Sequence, residues 1–229
     1  MRVLVFDTET TGLPESKDIN VSSLHLWPHI VQFSYIVYDI KKHSVVKKFD
    51  KIIRLENGMM IPQESINIHK ITNEISFRDG VSIQGVIEEF MYDLQNADIV
   101  VGHNVQFDLN MLKVEIKRMY LNENNLFKKR MYAHFNEYVE FSTKHYCTMH
   151  ETIKFCNLKQ TNKNGKEYVK YPKLNELHTK LFNQPLTGLH NSLNDVAVCL
   201  RCYYKLLYNS DICNHNGDID LLMKELISV

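Results

Sequence analysis

The sequence is short of the residues that punctuate or cross-link a chain. Eight glycines and five prolines in 229 residues exclude a collagen-like or fibrous repeat. Five cysteines, an odd number in a chain this long, do not form a disulfide framework and point to a reducing compartment, cytoplasm or nucleus. No apolar run approaches the ~20 residues of a membrane span. The stretch MRVLVFDTET lacks the apolar core and small-residue cleavage site of a signal peptide. The expectation is an intracellular protein with no membrane partner. No sign of charge prevails: 27 Lys and Arg balance 27 Asp and Glu, with 11 histidines counted as neutral. That balance argues against coating nucleic acid by bulk electrostatics, though not against a local basic groove. Repeats, low-complexity tracts and Pro/Gly/Ser-rich linkers are missing too. What remains is 44% hydrophobic and 24% charged, a globular composition long enough for a large buried core.

Periodicity predicts one α/β domain over residues 1–208, with a C-terminal helical tail at 209–229 packed on or next to it. Val3–Phe6 reads as a buried strand ending in Asp7-Thr8-Glu9. Ile30–Ile40 is a second strand, and Val45–Leu55, with interleaved charges, an edge strand. Residues 56–81 read as irregular apart from a short helix at Glu64–Lys70. Ser82–Asn96 is an amphipathic helix capped by Ser82, Asp98–Gly102 a buried strand, and Phe107–Tyr120 a helix. Residues 121–172 are the least regular, with the basic run Lys128-Lys129-Arg130 and a hairpin signal at Asn164-Gly165. Helices follow at Leu174–Phe182, at Asn191–Tyr208 with the stripe Leu193, Val196, Leu200, Tyr203 and Leu207, and at Asp218–Ile227.

Four acids stand out by position. Asp7 and Glu9 follow a buried strand at i, i+2, which puts both side chains on one face. Two such charges are unfavourable together unless they share a cation. Asp108 and Asp195 stand near two helix starts, Asp195 five residues after His190. Singly, each has a structural explanation: a turn acid at Asp7, a helix-dipole partner at Asp108, a capping box from Ser192 to Asp195. Together they occupy the strand ends and helix starts where α/β sheets build sites.

The segments VFDTETTGL (5–13), VGHNVQFD (101–108) and HNSLND (190–195) resemble the three motifs of the DEDD exonuclease superfamily. The H-x4-D spacing resembles its DEDDh subclass, the DnaQ-like and ribonuclease T-like 3′→5′ exonucleases. The tyrosine of the sister subclass would fall at Asn191. Ile61-Pro62 with Ile68–Thr72, and Tyr171–Leu174 with Glu176-Leu177, resemble connecting segments of the family.

The resemblance implies a ribonuclease H-like fold, a mixed central sheet flanked by helices. It implies metal-dependent 3′→5′ exonucleolysis that releases nucleoside 5′-monophosphates. Asp7, Glu9, Asp108 and Asp195 would hold two divalent cations, Mg²⁺ or Mn²⁺, with Asp7 bridging, and His190 would be the general base. Hard carboxylate oxygens suit Mg²⁺, and a side chain of unperturbed pKa ~6.5 suits proton transfer near neutrality. By the same resemblance, backbone from Thr10 to Leu13 would grip the terminal sugar, Leu13 would pack on its base, and Asn104 and Phe107 would flank it. Phe107 reads equally well as core, and His103 as a group that orients backbone. The substrate would be a single-stranded or frayed 3′ end, DNA favoured, in proofreading or repair with a polymerase or replication partner. An end-trimming exoribonuclease and a catalytically silent binding module are the alternatives.

Two patterns stand outside these motifs. Residues 154–173 form a lysine-rich insertion, with six lysines, Glu167 as the lone acid, and Tyr168 and Tyr171 interleaved. It reads as a basic finger beside the cleft or as a solvated hairpin. Cys199, Cys202, Cys213 and His215 have zinc-compatible spacing, but the first two, on the helical strip of Asp195, read more simply as small buried hydrophobes.

Overall fold

The apolar run at the N-terminus becomes the centre of a sheet. The computed structural model describes residues 1–56 and 58–226. β1 (Arg2–Thr10), β2 (Ile30–Asp39) and β3 (Ser44–Ile52) form an antiparallel meander. The chain continues through α1 (Gln63–His69), α2 (Asn73–Asp79) and α3 (Ile83–Gln95) to β4 (Ile99–Gly102), then α4 (Val105–Asn122), α5 (Leu126–Glu137) and β5 (His145–Cys147). Two short helices, α6 (Thr148–Glu151) and α7 (Ile153–Cys156), lead to a separate hairpin, β6 (Lys159–Thr161) and β7 (Glu167–Val169). α8 (Leu174–Phe182), α9 (Ser192–Tyr208) and α10 (Gly217–Leu226) follow. The five-stranded sheet runs β3-β2-β1-β4-β5, with β4 parallel to both β1 and β5. This is the mixed, helix-flanked sheet expected.

Strand parity divides the core in two. Leu4 and Phe6 pack with Phe33, Tyr35 and Val37 against α3 and α4. Val3 and Val5 pack with Ile36 and Tyr38 beneath α9. Both faces of Val3–Phe6 in β1 and of β2 are buried, so these stretches read as near-continuous apolar runs and not as alternating ones. β3 lies at the edge, with alternating exposure.

Some expected elements shift. Within 56–81, α2 forms because the Thr72 hydroxyl accepts from the Ile75 N–H at 3.1 Å and caps it. Within 121–172, α5 forms with Asn125 accepting from the N–H groups of Phe127 and Lys128, and three residues of β5 extend the sheet. Ser82 stands at the N-cap of α3, but its side chain makes no capping hydrogen bond. Leu207 is exposed, because the last turn of α9 runs past the packed core. The expected end of the last helix, Ile227, lies outside the described residues; α10 packs through Ile219, Met223 and Leu226. Among the described residues no helix is long and apolar enough to cross a membrane.

A candidate active site at the end of the central strand

Because Asp7 and Glu9 share parity with Val3 and Val5, they turn toward α9 at the C-terminal end of β1. Thr8 turns the other way, toward α4. Its N–H and hydroxyl both donate to Asp108 Oδ1, at 3.0 and 2.8 Å. Asp108, only 3% exposed in the first turn of α4, is therefore held against the strand and not merely set at a helix dipole. From the other side, the Ser192 hydroxyl donates to the Asp7 carbonyl at 2.6 Å and its N–H to Gln32 Oε1 at 3.2 Å. These bonds fasten the start of α9 to β1 and β2 and deliver Asp195. Asn191, not Ser192, caps this helix, so the capping-box explanation of Asp195 does not apply.

His190 precedes that cap in the left-handed region, with φ 69°, and its N–H donates to Asp195 Oδ2 at 3.2 Å. Its loop is held from two sides. The Asn194 amide donates to the Gly188 carbonyl at 2.7 Å, and the Thr187 N–H to the Leu226 carbonyl at 2.8 Å. Ligating atoms of Glu9, His190 and Asp195 all lie within 4.8 Å of one another. Among the described residues, Asp195 Oδ1 is buried without a hydrogen-bond partner.

Electrostatics records the same convergence. Burial pushes the Asp7 carboxyl up from 3.8 to about 7. Burial, with the charge of Asp7 added, takes Glu9 from 4.5 to about 8. Asp108 and Asp195 also move upward, from burial first and then from repulsion by Asp7, joined at Asp195 by Glu9. A cluster of buried acids that raise one another's pKa is a set of charges in want of a cation. The orphaned Asp195 oxygen and the hard oxygen donors fit a divalent ion such as Mg²⁺ or Mn²⁺.

The flanking residues differ in what they offer. Thr10 closes the turn after β1 by donating its hydroxyl to the Gly12 carbonyl at 2.7 Å. Thr11 and His29 exchange two hydrogen bonds of 2.9 Å. Leu13 is 81% exposed on that turn. Asn104 is exposed, with φ 72° at the start of α4, a strained backbone of the kind that clusters at ligand-binding sites. Phe107 is half-buried against the core beside α4. His103 is engaged on both ring nitrogens, with Thr148 Oγ1 and the Pro172 carbonyl, each at 2.9 Å. Burial lowers its pKa to about 4, so the neutral ring donates from Nε2 to Pro172 and accepts at Nδ1.

Three contributors carry no clear signal in the chain's spacing. Thr8 and Ser192 orient the acids, yet nothing in their position along the sequence shows the partner. His69 is buried against the Thr10 backbone and accepts from the Ile71 N–H at 3.0 Å. Its one pointer is the Ile68–Thr72 segment. Cys199 and Cys202 lie on the buried side of α9, with Cys199 Sγ 3.6 Å from Thr148 Oγ1. The His215 ring stacks on His43, their centroids 5.0 Å apart.

The family model described as Exonuclease (RNase_T) matches residues 4–203, a span that takes in all five site residues. The chain belongs to this exonuclease family. Among curated proteins it is 28% identical over 123 residues to the DNA polymerase III subunit epsilon of Pasteurella multocida, covering 54% of this chain and 45% of that one. It is 27% identical over 111 residues to the PolC-type DNA polymerase III of Pediococcus pentosaceus, covering 48% and 7%. The chain thus spans less than half the length of these relatives. Among solved structures, exonuclease I from Methylocaldum szegediense superposes with a TM-score of 0.61 at 15% identity, over 91% of this chain and 41% of that one. E. coli exonuclease I in complex with an oligonucleotide gives 0.61 at 14%, over the same shares. The fold is ribonuclease H-like.

Proposed function

We propose that this protein is a DEDDh-type 3′→5′ exonuclease that removes nucleoside 5′-monophosphates from single-stranded or frayed 3′ ends. The observation that carries the reading is that Glu9, His190 and Asp195 offer ligating atoms within 4.8 Å of one another, that Asp7 and Asp108 lie close enough to raise or be raised by neighbouring acids, and that Asp195 Oδ1 is buried without a partner among the described residues. The four acids would hold two divalent cations, which when bound supply Lewis-acid stabilisation of charge on the phosphoryl and leaving oxygens. His190 accepts the proton of the nucleophilic water on a ring nitrogen, from a loop exposed enough to exchange it with solvent. Thr8 and Ser192 keep Asp108 and Asp195 aimed at the same point. The Thr10–Leu13 turn contacts the terminal sugar and base, with Asn104 and Phe107 on its other flank. The names of the relatives, subunits and forms of DNA polymerase III, support DNA over RNA and a replicative polymerase as the setting.

The test is digestion of matched 5′-labelled single-stranded DNA, duplex DNA and RNA, with Mg²⁺ or EDTA, by wild type, Asp7→Ala and His190→Ala. The expected result is a Mg²⁺-dependent ladder of shortening labelled products, strongest on single-stranded DNA and lost in both variants. Activity that survives EDTA and Asp7→Ala would overturn the metal reading. Immediate release of the labelled mononucleotide would overturn the polarity.

A further inference from the structure

The β6–β7 hairpin stands outside both core clusters that hold the domain together. Every residue of its two strands is exposed. The strands pair Lys159 with Val169, Gln160 with Tyr168 and Thr161 with Glu167. The Asn162 N–H donates to the Lys166 carbonyl at 3.0 Å and the Gly165 N–H to the Asn162 carbonyl at 3.0 Å. Gly165, with φ 78°, takes the left-handed position that this three-residue turn requires. The hairpin is thus ordered by its own backbone pairing while lying outside the core, and core packing does not account for its lysines.

Its charge is concentrated and partly uncompensated. Lys159 pairs with Glu167 at 3.0 Å, and Lys170 with Glu176 at 2.5 Å. Lys163 and Lys166, at the turn, have no ionic partner among the described residues. Residues 166, 168 and 170 share parity, so Lys166, Tyr168 and Lys170 lie along one face of the strand in the order cation, aromatic, cation. Tyr168 and Tyr171 are 44% and 54% exposed, and the Tyr171 ring lies 5.0 Å from that of His150.

The root of the hairpin is fixed to the catalytic end of the sheet. The Pro172 carbonyl takes the His103 ring at 2.9 Å, and His103 directly follows β4 and precedes α4, which delivers Asp108. β4 runs parallel to β1, so the ends of both strands and the hairpin root share one edge. A chain with no net charge can hold a polyanion only through local charge, and this hairpin is a basic feature rooted at that edge.

We propose that the hairpin is a binding surface for the sugar–phosphate backbone of single-stranded nucleic acid upstream of the terminal nucleotide. Lys163 and Lys166 contact phosphates, and Tyr168 stacks on a base. The inference rests on the exonuclease reading for its choice of ligand.

Binding measured without turnover tests it. The proteins are wild type, Lys163→Ala/Lys166→Ala and Tyr168→Ala, each in Ca²⁺ with thermal melts to confirm folding. The probes are 5′-fluorescein dT12, rU12, a twelve-base-pair duplex and dT3, read by anisotropy from 50 to 200 mM salt. The expected result is an affinity for dT12 and rU12 about tenfold weaker in the lysine variant, with dT3 unchanged. The salt slope should shallow by about 1.4, the value for two phosphates of a single strand that no longer meet a cation. Tyr168→Ala should weaken dT12 binding with an unchanged slope. Equal affinity and slope in wild type and the lysine variant, loss confined to duplex, or equal loss on dT3 would each overturn the proposal. A wild type that binds dT12 through these lysines yet never shortens it in Mg²⁺ would overturn the exonuclease reading and leave the surface standing.

Discussion

Replacing Asp108 with asparagine should make the metal-free protein more stable at pH 8 while removing its activity. Asp108 is buried and accepts two hydrogen bonds from Thr8 on one oxygen. The asparagine carbonyl can keep both, and the neutral amide removes the like charge that the wild type sets against Asp7. The move of Asp7 from 3.8 to about 7 corresponds to roughly 4 kcal/mol of unfavourable ionisation in the fold. The Asp108 carboxyl is itself pushed upward by burial and by repulsion from Asp7, so removing its ionisable charge should return about 1–3 kcal/mol. For a chain of this size the gain is about 3–10 °C in Tm. Each folded carboxyl binds its proton more tightly than the unfolded chain does. The stabilisation from proton uptake is therefore fully present below the unfolded values of 3.8 and 4.5, and is lost as pH rises through about 7 at Asp7 and about 8 at Glu9. The advantage of the variant should accordingly shrink at pH 5. Calorimetry in EDTA at pH 5 and pH 8, repeated with Mg²⁺, measures all of this, and Mg²⁺ should raise the wild-type Tm at pH 8 more than that of the variant. An asparagine variant that melts below wild type in EDTA at pH 8, or gains equally at both pH values, would refute the reasoning.

His190→Gln should lower kcat by about 10²–10⁴ and leave oligonucleotide affinity within about twofold in a single-turnover titration; a full rate would remove His190 from the chemistry. Gly188 has φ 70°, and a Cβ there would sit 3.3 Å from Leu226 Cδ2. Gly188→Ala should cost about 1–2 kcal/mol and slow turnover by disturbing the His190 loop, so an unchanged melt and rate would contradict the bracing by α10. The Arg118 guanidinium donates to the carbonyls of Leu24, Trp27 and Pro28 and to Glu115. Arg118→Met leaves the buried Glu115 without its guanidinium, facing His29 at 3.5 Å, and should cost about 3–5 kcal/mol. Adding Glu115→Leu should recover much of the loss in a denaturant titration, and failure to recover would show that the carbonyl contacts dominate.

Elements with a long, one-sided apolar pattern are legible in one dimension. β1, β2, α3 and α9 carry their burial in their spacing, because a helix or strand that faces the core must repeat apolar residues at its own period. The short α2 and β5, and α5 with little buried besides Tyr132, carry no such pattern. Capping by Thr72 and Asn125 starts the first two, and pairing with β4 makes the third. Ser82 and Leu207 show the opposite case, residues of the right type whose local geometry or position in the fold leaves the expected contact unmade.

The sequence by itself determined the family and the identity of the candidate site residues. D-x-E after a buried strand and H-x4-D before a helix are local patterns, and a local pattern needs no fold to be visible. Only the tertiary structure decided that Asp108 leans on Thr8 a hundred positions away and that the end of α10 ties down the loop of His190. It also decided that the lysine-rich hairpin is rooted on His103, just past the end of β4 and beside the candidate site. Each of those facts is a contact between distant segments. Such contacts arise from how the helices and the hairpin pack around the sheet, which no spacing along the chain records.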